Sequence, residues 1–124
     1  MEYSLAVAAG GAIGALSRYW LMAWVATQGA ARFPWGTLLV NVLGSCVIGV
    51  CYVLISEKLV LTEQWRALLV VGYLGAFTTF STFSLDALLL IQDGRLLSAL
   101  NYVGASVVLC LAGAWLGMSV MRAL

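Results

Sequence analysis

Hydrophobic positions run through this chain in four long blocks and do not alternate with polar ones. The blocks cover Tyr3–Gln28, Gly36–Ser56, Gln64–Ile91 and Leu96–Met121. A helix that crosses the hydrocarbon core of a bilayer needs about 20 mostly apolar residues, and each block supplies that length. The connections are short and gather most of the charge: Arg32, Glu57, Lys58, Glu63, Asp93 and Arg95. A backbone in lipid must satisfy its own hydrogen bonds, which a helix does. The expected fold is therefore all-α: one domain, 1–124, of four transmembrane helices over about 3–28, 36–56, 64–91 and 96–121.

Composition removes the soluble alternative. Apolar residues make up 64% of the chain and charged ones 9%, where a soluble domain carries roughly 25% charged residues. A net charge of +1 provides no basic patch and no case for nucleic acid. The start Met1-Glu2-Tyr3 has no basic stretch before the first block, which reads as a retained membrane helix and not a cleaved leader. Cys46, Cys51 and Cys110 are odd in number and lie inside apolar blocks. Their spacing suits neither a zinc site nor a disulfide framework, and they read as small buried residues.

Orientation is weakly encoded. Four crossings put both termini on one side, together with Lys58, Arg66 and Arg122. Arg32 and Arg95 fall on the other, with Arg18 able to snorkel there. Lys/Arg bias in short loops normally sets topology, and here it nearly cancels. The expectation is insertion in both orientations and assembly as an antiparallel homodimer, which rebuilds with two chains the inverted repeat of many transporters. Gly10-x-x-x-Gly14 and Gly113-x-x-x-Gly117 agree with assembly in supporting close helix packing, but do not identify the partner.

Polar groups inside the blocks are few and patterned. Thr37, Asn41 and Ser45 recur every four residues on the second helix, as do Tyr102, Ser106 and Cys110 on the fourth. That spacing stacks each set on one face. Polar groups at membrane depth face a bundle interior or a wet path by default, so the two rows read as walls of one pathway. A single Ser or Thr can instead bond its own backbone; an asparagine amide is harder to satisfy locally, which favours Asn41 as a pathway residue. Arg18 stays protonated and must reach water, a carboxylate or an anion. Asp86 is the one embedded acid, near enough to the surface to be hydrated or paired.

The third block is longer than one crossing needs. Gly72, Gly75 and the hydroxyls Thr78, Thr79, Ser81, Thr82 and Ser84 cluster near its middle. Such residues re-satisfy a broken backbone, so a discontinuity is expected between about Gly75 and Thr79, with carbonyls able to hold a small cation. Phe77, Phe80 and Phe83 follow at three-residue spacing. Phenylalanine has a positive ring edge; ring edges and hydroxyl donors together replace part of the water around a small hard anion. A cation would want carboxylates or a ring of carbonyls. The residues thus point to a narrow anion pathway.

Three stretches, "GGAIGALSRYW" (10–20), "GTLLVNVLGSCVIG" (36–49) and "GYLGAFTTFSTFSLD" (72–86), resemble the Fluc family of prokaryotic fluoride channels, CrcB-like proteins. The resemblance covers the whole chain. It implies passive, fluoride-selective export across the prokaryotic plasma membrane by an antiparallel homodimer with two pores. It further implies that Phe80 and Phe83 turn ring edges to the ion and that Asn41 lies at the base of the polar track. Thr37, Ser81, Thr82, Tyr102 and Ser106 are implied as pore-lining or supporting groups, and Arg18 as a vestibule residue. The carbonyls of Gly75 and Thr78 are implied to hold a structural sodium ion between subunits. Asp86, Phe77 and Cys110 depart from the family pattern, and Phe77 is assigned to packing.

Two other functions compete. A proton-coupled exporter of cationic compounds needs a titratable carboxylate near the membrane centre; this chain has arginine in its first helix and no histidine. A scaffold subunit would explain the small-residue motifs but not the aligned polar rows. No enzymatic machinery is expected.

Overall fold

The computed structural model describes residues 2–29 and 32–124, and all regular structure among them is helical. Helix α1 spans Ser4–Thr27 and stops before Gly29, whose φ of +75° suits a glycine just past a helix end. Helix α2 spans Trp35–Glu57, its last five residues, Val53–Glu57, in wide π-type turns. Helix α3 covers 63–77 as an α turn (Glu63–Arg66), a π segment (Ala67–Leu74) and a short α piece (Gly75–Phe77). Helix α4 spans Phe80–Gln92 and helix α5 Leu96–Ala123.

The four membrane-length spans are Ser4–Thr27, Trp35–Glu57, Glu63–Gln92 and Leu96–Ala123. Their ends differ from the apolar blocks by at most two residues: the first span is shorter than its block, and the second and third reach Glu57 and Glu63.

The third span is broken at two residues. Thr78 (φ −82°, ψ 159°) and Thr79 (φ −152°, ψ 118°) are extended, while Gly75 keeps helical angles (φ −61°, ψ −35°). The discontinuity thus sits at the C-terminal limit of the expected stretch. It falls where a partner for the freed backbone exists, and that partner is Asn41 on α2.

Both small-residue motifs are used within the chain. A methyl at Gly10 would fall on the Leu68 carbonyl oxygen, and one at Gly14 on that of Tyr73. A methyl at Gly117 would meet the Cys46 carbonyl oxygen. These glycines let α1 lie against α3 and α5 against α2, which is the tight packing expected of them, with the partner now identified as a helix of the same chain. In lipid such close approach is what holds helices together, because no hydrophobic effect separates helix from solvent.

A small core of Leu38, Ala87, Leu90, Ala99 and Tyr102 joins α2, α4 and α5, with Phe33, Val42 and Phe83 packed on it. At one end Arg122 Nε reaches both carboxylate oxygens of Glu57, at 3.1 and 3.0 Å. At the other, Arg95 donates to the Arg32 carbonyl. Even in the best-covered span, Trp35–Glu57, only 33% of the residues in its most apolar stretch are buried. Most of the apolar surface is left for lipid or for another copy.

Candidate functional site

The break in the third span is pinned by one side chain. Asn41 Nδ2 donates to the Thr79 carbonyl at 3.0 Å, and Asn41 Oδ1 accepts from the Thr79 amide at 2.8 Å. The amide therefore pairs with Thr79 as a neighbouring strand would. A buried peptide left unpaired costs about 1–3 kcal/mol per group, so this pair of hydrogen bonds is what makes the break tolerable. Thr79 in turn caps α4: its hydroxyl accepts from the Thr82 amide at 3.2 Å and donates to Thr82 Oγ1 at 3.1 Å. Ser81 Oγ lies 3.3 Å from the same hydroxyl. Ser81 and Thr82 are thereby engaged at the helix cap and do not line the groove described below.

Two opposed helix ends meet at the break. The start of α4 leaves the Phe80 and Ser81 amides without intrahelical acceptors, a partly positive end. The end of α3 leaves carbonyls without intrahelical donors, a partly negative end. Arg18, half-buried on α1, donates to the Thr78 carbonyl at 3.4 Å. A guanidinium there complements the negative end. Arg18 is thus placed behind the break and not on the groove wall.

The polar rows divide by depth. Thr37 Oγ1 donates to Asp86 Oδ2 at 2.7 Å, and the Tyr102 hydroxyl donates to the same oxygen at 3.2 Å. Tyr102 is fully buried and Thr37 nearly so. Asp86, expected to be hydrated or paired, is paired. It also lines a second, smaller pocket of about 280 Å3 that includes Arg32, Asp93 and Arg95. The two hydroxyl protons pointed at the carboxylate are committed there.

One turn further in, the rows open into a groove of about 470 Å3, with Asn41, Ser45, Ser106 and Cys110 on its wall. Phe80, Phe83 and Thr78 line it from the broken span, and Gly75 is at its rim. Among the described residues, no charged side chain lines it. Ser106 is 6% exposed, and its Oγ has no hydrogen-bond partner among the described residues. Aromatic contacts continue from the groove: Phe80 to Phe83 at 5.4 Å, Phe83 to Tyr102 at 5.3 Å, and Tyr102 edge-on to Phe33 at 5.5 Å between centroids. Phe80 is 79% exposed, and its ring projects from the chain. Phe77 is buried and stacked on Tyr73.

Of the expected site residues, the structure brings Asn41, Phe80, Phe83, Ser106, Gly75 and Thr78 to one groove. Thr37 and Tyr102 sit beside it on Asp86, and Ser81, Thr82 and Arg18 serve the break. Sequence reasoning missed Thr79 as the cap and the linking of Asp86 to both rows. Thr79-x-x-Thr82 ahead of an apolar run was the available signal for the cap. Asp86 carried none, because its partners lie 49 and 16 residues away.

Comparison with known sequences agrees over nearly the whole chain. Residues 5–118 match the family described as CrcB-like protein, Camphor Resistance (CrcB). A fluoride-specific ion channel FluC from Hahella chejuensis is 51% identical over 116 residues, covering 94% of this chain and 91% of the relative. One from Rhizobium etli is 46% identical over 124 residues, covering 100% and 99%. One from Saccharophagus degradans is 53% identical over 109 residues, covering 87% and 80%.

Proposed function

We propose a fluoride-specific ion channel, because this chain belongs to the CrcB-like family and its groove suits a small anion. The protein is a multi-pass protein of the prokaryotic plasma membrane that passes fluoride out of the cell passively. The carrying observation is the groove itself: phenylalanine rings, an unpartnered serine hydroxyl and no charged side chain. A fluoride ion there exchanges water for the Ser106 hydroxyl and the ring edges of Phe80 and Phe83. The absence of a fixed cation keeps binding weak enough for release. The same groove argues against a proton-coupled exporter, since the one embedded carboxylate, Asp86, is outside it and bound to Thr37 and Tyr102.

The channel unit is an antiparallel homodimer with two pores. Supporting this, Phe80 lines the groove and yet is largely exposed, so its ring is free to meet a second copy. The near-balanced loop charge supports the two orientations. A structural sodium ion belongs at the carbonyls of Gly75 and Thr78 from both copies. Gly75 is exposed, its carbonyl has no donor among the described residues, and oxygen donors suit a hard monovalent cation. The Thr78 carbonyl is the less ready donor, because Arg18 already contacts it.

Fluoride efflux from liposomes holding purified protein tests the function. Potassium and valinomycin must balance the charge, since a channel moves fluoride alone. Fast fluoride efflux without a proton gradient, and no chloride efflux, is expected. Chloride moving as fast as fluoride, or transport only with a proton gradient, overturns it. Phe80→Ile should sharply cut fluoride flux while the dimer stays intact by cross-linking.

A further inference from the structure

The groove carries a thiol that its anion chemistry does not use. Cys110 lines it, one turn beyond Ser106 on the same face of α5, so the two side chains lie about 6 Å apart along the axis. The other cysteines are elsewhere. Cys51 is buried, and Cys46 is wedged between α2 and α5 with its sulfur against the Gly113 backbone. Neither lines the groove. A thiol alone would mean nothing, but Ser106 beside it is more than nine-tenths buried with an unpartnered oxygen. With no charged side chain on this wall among the described residues, the Cys110 sulfur is a soft ligand for a neutral, thiophilic electrophile, and the Ser106 hydroxyl one turn away is a further, hard oxygen contact that lacks a partner.

We propose that Cys110 and Ser106 form a binding site for thiophilic metal halides, whose occupancy closes the groove. Mercuric chloride is the matching probe: small, uncharged and linear, so it is not excluded as a hydrated cation would be. The Cys110 S–H and one Hg–Cl bond break and an S–Hg bond forms, releasing a proton and a chloride to water with no redox change. Mercury held by the Cys110 sulfur, with its remaining chloride, would occupy the groove that Asn41, Ser45 and Ser106 also line. The closing step rests on the groove being the fluoride route; the site itself does not.

The test uses reconstituted full-length protein treated with mercuric chloride and read by adduct mapping and by fluoride efflux. Each variant is compared with its own untreated efflux. The double variant Cys46→Ser/Cys51→Ser is expected to take a mercury adduct at Cys110. Its efflux should fall to the leak of protein-free liposomes, and dithiothreitol should restore it. Cys110→Ser is expected to lose the block. No mercury adduct at Cys110 in the double variant, or a Cys110 adduct with undiminished efflux, overturns the proposal. Mercury bound at Cys110 in a protein that conducts no fluoride even untreated refutes the channel reading and leaves the site standing.

Discussion

At Asn41 a side-chain amide takes over bonds that the third span gives up, accepting from the Thr79 amide and donating to its carbonyl. Any replacement must therefore keep a donor and an acceptor on the same face. Asn41→Asp keeps the acceptor, loses the donor and sets a carboxylate against a carbonyl oxygen. Removing one partner of a buried pair costs about 1–3 kcal/mol. Fluoride efflux is expected to drop about tenfold or more, with a lower unfolding temperature in detergent. Tyr102→Phe should be milder on stability, about 1 kcal/mol, because Thr37 still donates to Asp86 and the ring contacts with Phe33 and Phe83 remain. Equal destabilisation by both variants would contradict this division between clamp and track. The residue types at both places were visible in the sequence as four-residue rows. Their partners were not, since four-residue spacing identifies a face and not what that face meets.

Among the elements, α3 and α4 have opposite needs at their shared boundary. The end of α3 relies on Arg18 and the start of α4 on Thr79. Thr79→Ala removes the cap and should cost about 1 kcal/mol, while Thr79→Ser keeps it and should cost less. Thermal unfolding in detergent micelles measures both; an Ala variant as stable as the Ser variant would rule out the cap. The α1–α3 contact is less forgiving. Gly14→Val puts carbon on the Tyr73 carbonyl and must push the helices apart, at about 1–3 kcal/mol or more. The approximate position of the break was legible from its hydroxyls and glycines. The wide π turns of Ala67–Leu74 were not: a uniformly apolar stretch reads alike for either hydrogen-bond register.

For the whole molecule, Phe80 lines the groove and yet projects from the chain, which bears on the proposed pairing of two copies. If two opposed copies complete the groove, extra lysines that force a single orientation should abolish fluoride resistance when that variant is expressed alone. Co-expression with a variant biased the other way should restore it. Full function from a singly oriented form would refute the antiparallel pair.

What the sequence determined by itself is the number of crossings, their lengths and the zone of the break. Hydrocarbon requires about 20 apolar residues per helix and internally satisfied backbone, and both demands are written locally. Only the tertiary structure decided which polar groups stay available to an anion. Thr37 and Tyr102 are taken by Asp86, Ser81 and Thr82 gather at the Thr79 cap, and Ser106 has no partner among the described residues. Hydroxyls of one kind received different tasks because a hydrogen bond goes to whichever acceptor the packed helices bring within reach.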